Sequence, residues 1–182
     1  MTPSRAVFGY HERRPRRQHV TAAYLSVMLW FVGRAVVAVI RTDPEMKKEW
    51  AALPAGFIFR LGVTPGGPAM VVGKTPDGGA RVINVVTPAD AIDLDLRIKS
   101  LDAALRMFTF RESTAVSSSR NRLVIDGEVP PACAIVRLLD AVECYLLPGI
   151  IARLAVKRLP RWSLRRRTVV RCMVYLRTLV GA

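Results

Sequence analysis

"DLDLRIKSLDAALRMFTFRESTAVSSSRNRLVIDGEVPPACAIVRLLD", residues 93–140, carries most of the pattern from which a fold can be read. Over 92–99, Leu94, Leu96 and Ile98 alternate with Asp93, Asp95, Arg97 and Lys99, so one face of a strand is apolar and the other charged. Ser100 stands where a helix N-cap belongs. Leu101, Leu105 and Phe108 follow at i, i+4 and i+7, a single apolar stripe. The polar run 111–119 reads as short and partly helical. "NRLVIDGE" (121–128) is another strand, with Leu123 and Ile125 inward. An Asp126-Gly127 turn and Pro130-Pro131 then redirect the chain into a helix over 131–146, with a face of Ala132, Ile135, Val136, Leu139, Val142 and Leu146.

The residues before this stretch supply the rest of a sheet. "GFIFRLGV" (56–63) puts Phe57, Phe59, Leu61 and Val63 on one face. "AMVVGK" (69–74) and "RVINVV" (81–86) are two further strands. "PGGP" (65–68) and "TPDGGA" (75–80) are the turns, the second with an Asp-Gly hairpin signature. "TDPEMKKEW" (42–50) reads as a polar helix capped by Asp43, with Pro44 in its first turn and Trp50 as its anchor to the core. The order is helix, three meandering strands, a fourth strand, a helical insert, a fifth strand and helices. That is an α+β pattern with a five-stranded, mostly antiparallel sheet.

The chain has 182 residues, which bounds it to one domain plus extensions. The net charge is +14 and the pI about 11.0, yet 51% of residues are hydrophobic and the mean hydropathy is +0.25. A chain both basic and apolar fits an anionic membrane surface at least as well as nucleic acid. The charge sits at the ends, in "RRPRR" (13–17) and "VKRLPRWSLRRR" (156–167). Residues 1–19 read as a basic tail, 20–49 as an apolar helix plus the polar one, 50–147 as the central domain, and 148–182 as basic amphipathic helices. The run 20–40 is long enough for a membrane span, but Arg34 interrupts it. It is read as a helix lying on a membrane or packed on the domain, with a span or a cleaved signal as alternatives. Val169, Met173, Leu176 and Val180 share a stripe, with Arg167 and Arg171 turned away, the pattern of an interfacial helix or of a helix docked on its own domain. The candidate membrane-surface residues are Arg13, Arg14, Arg16, Arg17, Trp162, Arg165, Arg166, Arg167 and Arg171.

Several chemistries find no support. The cysteines, Cys133, Cys144 and Cys172, are odd in number and form no C-x-x-C, so they read as buried reduced thiols. Both histidines, His11 and His19, lie in the basic tail, which removes most His-based catalysis and metal binding. "VVGKTP" lacks the upstream glycine of a phosphate loop. Asp93 and Asp95 read as a solvated sheet face and not as an acid–base pair. Basic ends could contact nucleic acid, but their arginines interleave with Val, Leu, Met and Trp, and no stacking platform forms. No enzyme activity, cofactor or metal is expected.

The strand–capped helix–short helix–strand–helix order in 93–140, together with the meander "FIFRLGVTPGGPAMVVGKTPDGGARVI", resembles the sterol carrier protein type-two domain. The resemblance spans roughly residues 50–145. It implies a five-stranded sheet covered by helices, with an apolar tunnel that takes a sterol-like, fatty acyl or isoprenoid lipid. Some members present lipids such as quinone precursors to enzymes. On this basis the candidate lining residues are Met70, Leu101, Leu105, Met107, Phe108, Phe110, Leu123, Ile125, Val136 and Leu139. The expected partners are a lipid ligand, an anionic membrane surface and a possible protein partner. The expected location is the cytoplasmic face of the inner membrane. The competing function is an interaction subunit without bound lipid, with nucleic-acid binding third.

Overall fold

A computed structural model describes residues 16–83, 88–109, 111–112, 114–146, 172–173 and 175–176. The elements are α1 (Arg16–Thr42), α2 (Pro44–Ala51), β1 (Ile58–Val63), β2 (Ala69–Lys74), β3 (Ala80–Val82), a 3-10 turn (Ala89–Ala91), β4 (Leu94–Ile98), α3 (Leu101–Phe108), α4 (Thr114–Ser119), β5 (Leu123–Gly127) and α5 (Val129–Leu146). The strands form one sheet in the order β3-β2-β1-β4-β5. Pair β1·β4 is parallel and the other three are antiparallel.

Register turns the alternation of each strand into apolar rows across the sheet. Val72, Phe59 and Leu94 lie side by side, as do Met70, Leu61 and Leu96. All six are buried, because inward residues of paired strands point to the same side. The opposite face carries an ion-pair ladder. Arg60 grips Asp95 with two hydrogen bonds, and Arg97 reaches both Asp95 (3.5 Å) and Asp126 (2.6 Å). Asp93 is also structural: its Oδ2 accepts from the Ile58 N–H at 2.8 Å.

The caps hold as the sequence implies. Asp43 accepts from the Glu45 N–H (2.9 Å) at the start of α2, and Ser100 from the Ala103 N–H (3.1 Å) at the start of α3. Trp50 is buried edge-on to Phe57 and Phe59, and its Nε1 donates to the Gly79 carbonyl (2.9 Å), tying α2 to the β2–β3 turn.

Helix α1 belongs to the core. By length and composition it could cross a membrane, yet half of its apolar window is buried within the fold. Ala35 to Ile40 are buried without a break, and α1 packs against α2, α3, α5, β2 and β3. An all-round apolar helix needs cover on every side, and here protein supplies it for the second half. The core therefore runs across residue 50, joining α1 and α2 to the sheet.

Three local expectations need correction. Asp126-Gly127 is not a turn but the end of β5, paired with Asp95 and Leu94. Gly127 has φ +142°, and a Cβ there would lie 2.7 Å from the Asp93 carbonyl oxygen, so the glycine permits close strand approach. Helix α5 begins two residues before Pro131, with both prolines in its first turn. Of the cysteines, only Cys144 is buried; Cys133 and Cys172 are exposed.

Candidate functional site

The apolar face of the sheet is not filled completely. A cavity of about 200 Å³ lies between it and the helices. Its floor is Leu61 of β1, Leu96 and Ile98 of β4, and Leu123 of β5. Met28, Phe31 and Val32 of α1, Met107 and Phe108 of α3, and Val136, Leu139, Val142 and Leu146 of α5 make its walls. The spacing on α5 follows from the helical repeat, since positions three, six and ten residues apart return to one face.

Three carboxylates interrupt this lining: Glu112, Asp140 and Glu143. Glu112 is buried and held by Arg122, whose Nη1 donates to Oε2 (2.5 Å), with Arg120 3.6 Å from Oε1. Oε1 itself accepts no hydrogen bond. Asp140 and Glu143 sit one turn apart on α5. Burial pushes the Glu143 carboxyl up to about 7, and the neighbouring charge of Asp140 adds to the effect. Burial raises Asp140 as well. Near neutrality, then, the apolar wall holds a carboxyl divided between its neutral and charged forms. Neutral, it donates and accepts a hydrogen bond; charged, it repels an anion.

Of the residues expected to line the site, Met107, Phe108, Leu123, Val136 and Leu139 do so. Met70 does not. It is buried beneath α1, its sulfur next to the position a Cβ on Gly33 would occupy (3.5 Å). Leu101 and Leu105 are half-buried on α3 away from the cavity, where Leu101 packs against the core. Ile125 faces the same side as Leu123 but is 39% exposed, because β5 is an edge strand. Phe110 lies outside the described residues, as do Arg13, Arg14, Trp162, Arg165, Arg166, Arg167 and Arg171; Arg16 and Arg17 begin α1, and their side chains are not described. The acidic residues were missed by sequence reasoning. Their signal was present: Asp140 and Glu143 fall four and seven residues after Val136, on the stripe that should be apolar. Among the described residues, no group of three His, Cys, Asp or Glu side chains could hold a metal.

No family model matches the chain, and no curated protein matches it. Among solved structures, distant likenesses are found. The chain is similar to a UbiJ-SCP2 ubiquinone synthesis protein, at 15% identity over 70% of this chain and 99% of the other, with a TM-score of 0.40. It is similar to a sterol carrier protein 2 like 2 from Aedes aegypti, at 12% identity over 55% and 94%, TM-score 0.31. A sterol carrier protein-2 like-3 from the same organism gives 17% identity over 56% and 92%, TM-score 0.29. Likenesses this distant carry no argument about this chain, and what it binds has to be read from its own cavity.

Proposed function

We propose that this chain is a non-catalytic lipid-binding protein that holds the apolar part of an amphiphile, sterol-like, acyl or isoprenoid, in the cavity between its sheet and α1, α3 and α5. The observation that carries this reading is the cavity itself: about 200 Å³, walled by aliphatic, Met and Phe side chains. An apolar void of roughly 150 Å³ suffices for benzene. This one takes a ring or a short run of methylenes, and the remainder of a longer ligand extends through the mouth. Each methylene transferred from water contributes about 0.8 kcal/mol, so six contribute about 5 kcal/mol before ordering costs. The carboxyls of Asp140 and Glu143 favour a ligand whose polar end is uncharged, such as a hydroxyl or phenol, over a carboxylate. The basic ends support work at an anionic membrane surface, peripheral to the cytoplasmic face of the inner membrane.

Native mass spectrometry of gently purified full-length protein, followed by solvent extraction, tests this directly. The expected result is a stoichiometric adduct that extracts as a lipid or quinone precursor. A clean apo mass that persists after incubation with liposomes would overturn the reading, and a stable heteromeric complex free of lipid would replace it with an interaction subunit.

A further inference from the structure

The exposed side of α1 has an organisation that the cavity does not explain. Val20, Tyr24 and Val27 recur at i, i+4 and i+7, and all three are exposed. The helical repeat continues with exposed Trp30, then Arg34, the buried Val37 and Arg41, again at i, i+4, i+7 and i+11. These four residues line a second pocket of about 200 Å³, closed by Ala80, Arg81 and Val82 of β3. Three arginines, Arg34, Arg41 and Arg81, therefore line the pocket where helix and strand meet, and among the described residues no acidic side chain lines it. Asp77, in the β2–β3 turn, feels the Arg41 charge from outside the lining. Arg34 stacks over the Trp30 ring, 4.9 Å from its centroid.

We propose that this face of α1 docks on an anionic bilayer, with a lipid phosphate seated among Arg34, Arg41 and Arg81 and the stripe Val20–Tyr24–Val27–Trp30 lying in the acyl boundary. The charge selects the occupant. Guanidinium groups present forked donors that match phosphate oxygens, and three around one concavity call for a multiply acceptor-bearing anion. The adjoining apolar stripe selects the source of that phosphate. A free anion or a nucleic acid leaves Val20, Val27 and Trp30 in water, whereas a bilayer buries them beside its own headgroups. Trp30 sits at the junction, where an aromatic ring belongs in an interface. The inference rests on the membrane-surface part of the reading above and not on what occupies the cavity.

The test is co-sedimentation of the full chain with vesicles of phosphatidylcholine alone or of phosphatidylcholine mixed three to one with phosphatidylglycerol. Arg41 and Arg81 are exposed, so the pair Arg41→Gln/Arg81→Gln leaves the fold intact, checked by its melting curve. Wild type is expected to bind the anionic vesicles in a salt-sensitive way. Near an anionic surface each lost Arg weakens binding several-fold, so the double variant is expected to bind about thirtyfold less tightly. Phospholipid brominated on its acyl chains is expected to quench a share of the fluorescence that Trp30→Phe lacks. Equal vesicle affinity for wild type and double variant, or identical quenching of Trp30→Phe, would overturn the docking face. Failure of wild type to bind any vesicle would instead remove the membrane reading as a whole. Tight binding of an RNA oligonucleotide that anionic vesicles do not displace would assign the arginines to nucleic acid.

Discussion

Replacing Glu143 with Gln gives a stability change whose size and pH range follow from its place in the cavity wall. The carboxyl is raised from 4.5 to about 7 in the folded chain. Below 4.5 the acid is neutral in both folded and unfolded states, and its burial carries no ionic cost. Between 4.5 and about 7 the unfolded chain releases its proton while the folded chain keeps it. Stability therefore falls as pH rises through this window and levels off above it. With one pKa unit equal to about 1.4 kcal/mol, the full cost is about 3 kcal/mol. Glu143→Gln stands in for the neutral acid and removes that cost. Urea unfolding of the full-length protein is expected to show the variant more stable by about 3 kcal/mol at pH 8 and by less than about 1 kcal/mol at pH 5. Asp140, also raised by burial, leaves a shallower slope in the variant. Parallel stability–pH curves for the two proteins from pH 4.5 to 8 would refute the claim that Glu143 is desolvated.

Three more outcomes are expected. Val136→Phe puts a ring into the cavity from α5; bound lipid should disappear from the native mass spectrum while the melting temperature holds or rises, and retention of lipid would mean the ligand sits elsewhere. Tyr145→Phe removes a buried 2.6 Å hydrogen bond to the Asp43 carboxylate, which also caps α2, and should cost about 1.5–3 kcal/mol in denaturant unfolding. Gly127→Ala forces a Cβ against the Asp93 carbonyl at positive φ and should cost about 1–3 kcal/mol, read as a lowered melting temperature.

Local structure was legible because its causes are local. Alternation set β1, β4 and β5, and Asp43 and Ser100 announced the helices they cap. The meander and the late strand sufficed for the α+β class. The cavity was only half legible because its lining depends on what lies over each strand. Leu123 and Ile125 are equivalent in sequence, yet one lines the site and the other ends a row at an open edge. Met70 was indistinguishable from Leu61 until α1 was found above it, so close that a Cβ on Gly33 would lie 3.5 Å from its sulfur. The greasiness of 20–40 was plain, but whether protein or lipid covers it depends on contacts with β3 and α5 far along the chain. The two carboxyls on α5 were visible as polar intruders in an apolar stripe, and only the enclosure around them shows how strongly they are perturbed.

The buried half of α1 bears on how the protein is made. Ala35 to Ile40 leave the ribosome well before α5, yet their cover includes α5, and the Asp43–Tyr145 bond spans 102 residues. At ordinary elongation rates that interval lasts roughly 5 to 20 s. Throughout it, a run of Ala, Val and Ile stands without its native partner, next to the apolar stripe that ends in Trp30. A nascent chain in that condition needs somewhere to keep α1, and a chaperone or a bilayer surface would serve equally while the sheet is completed.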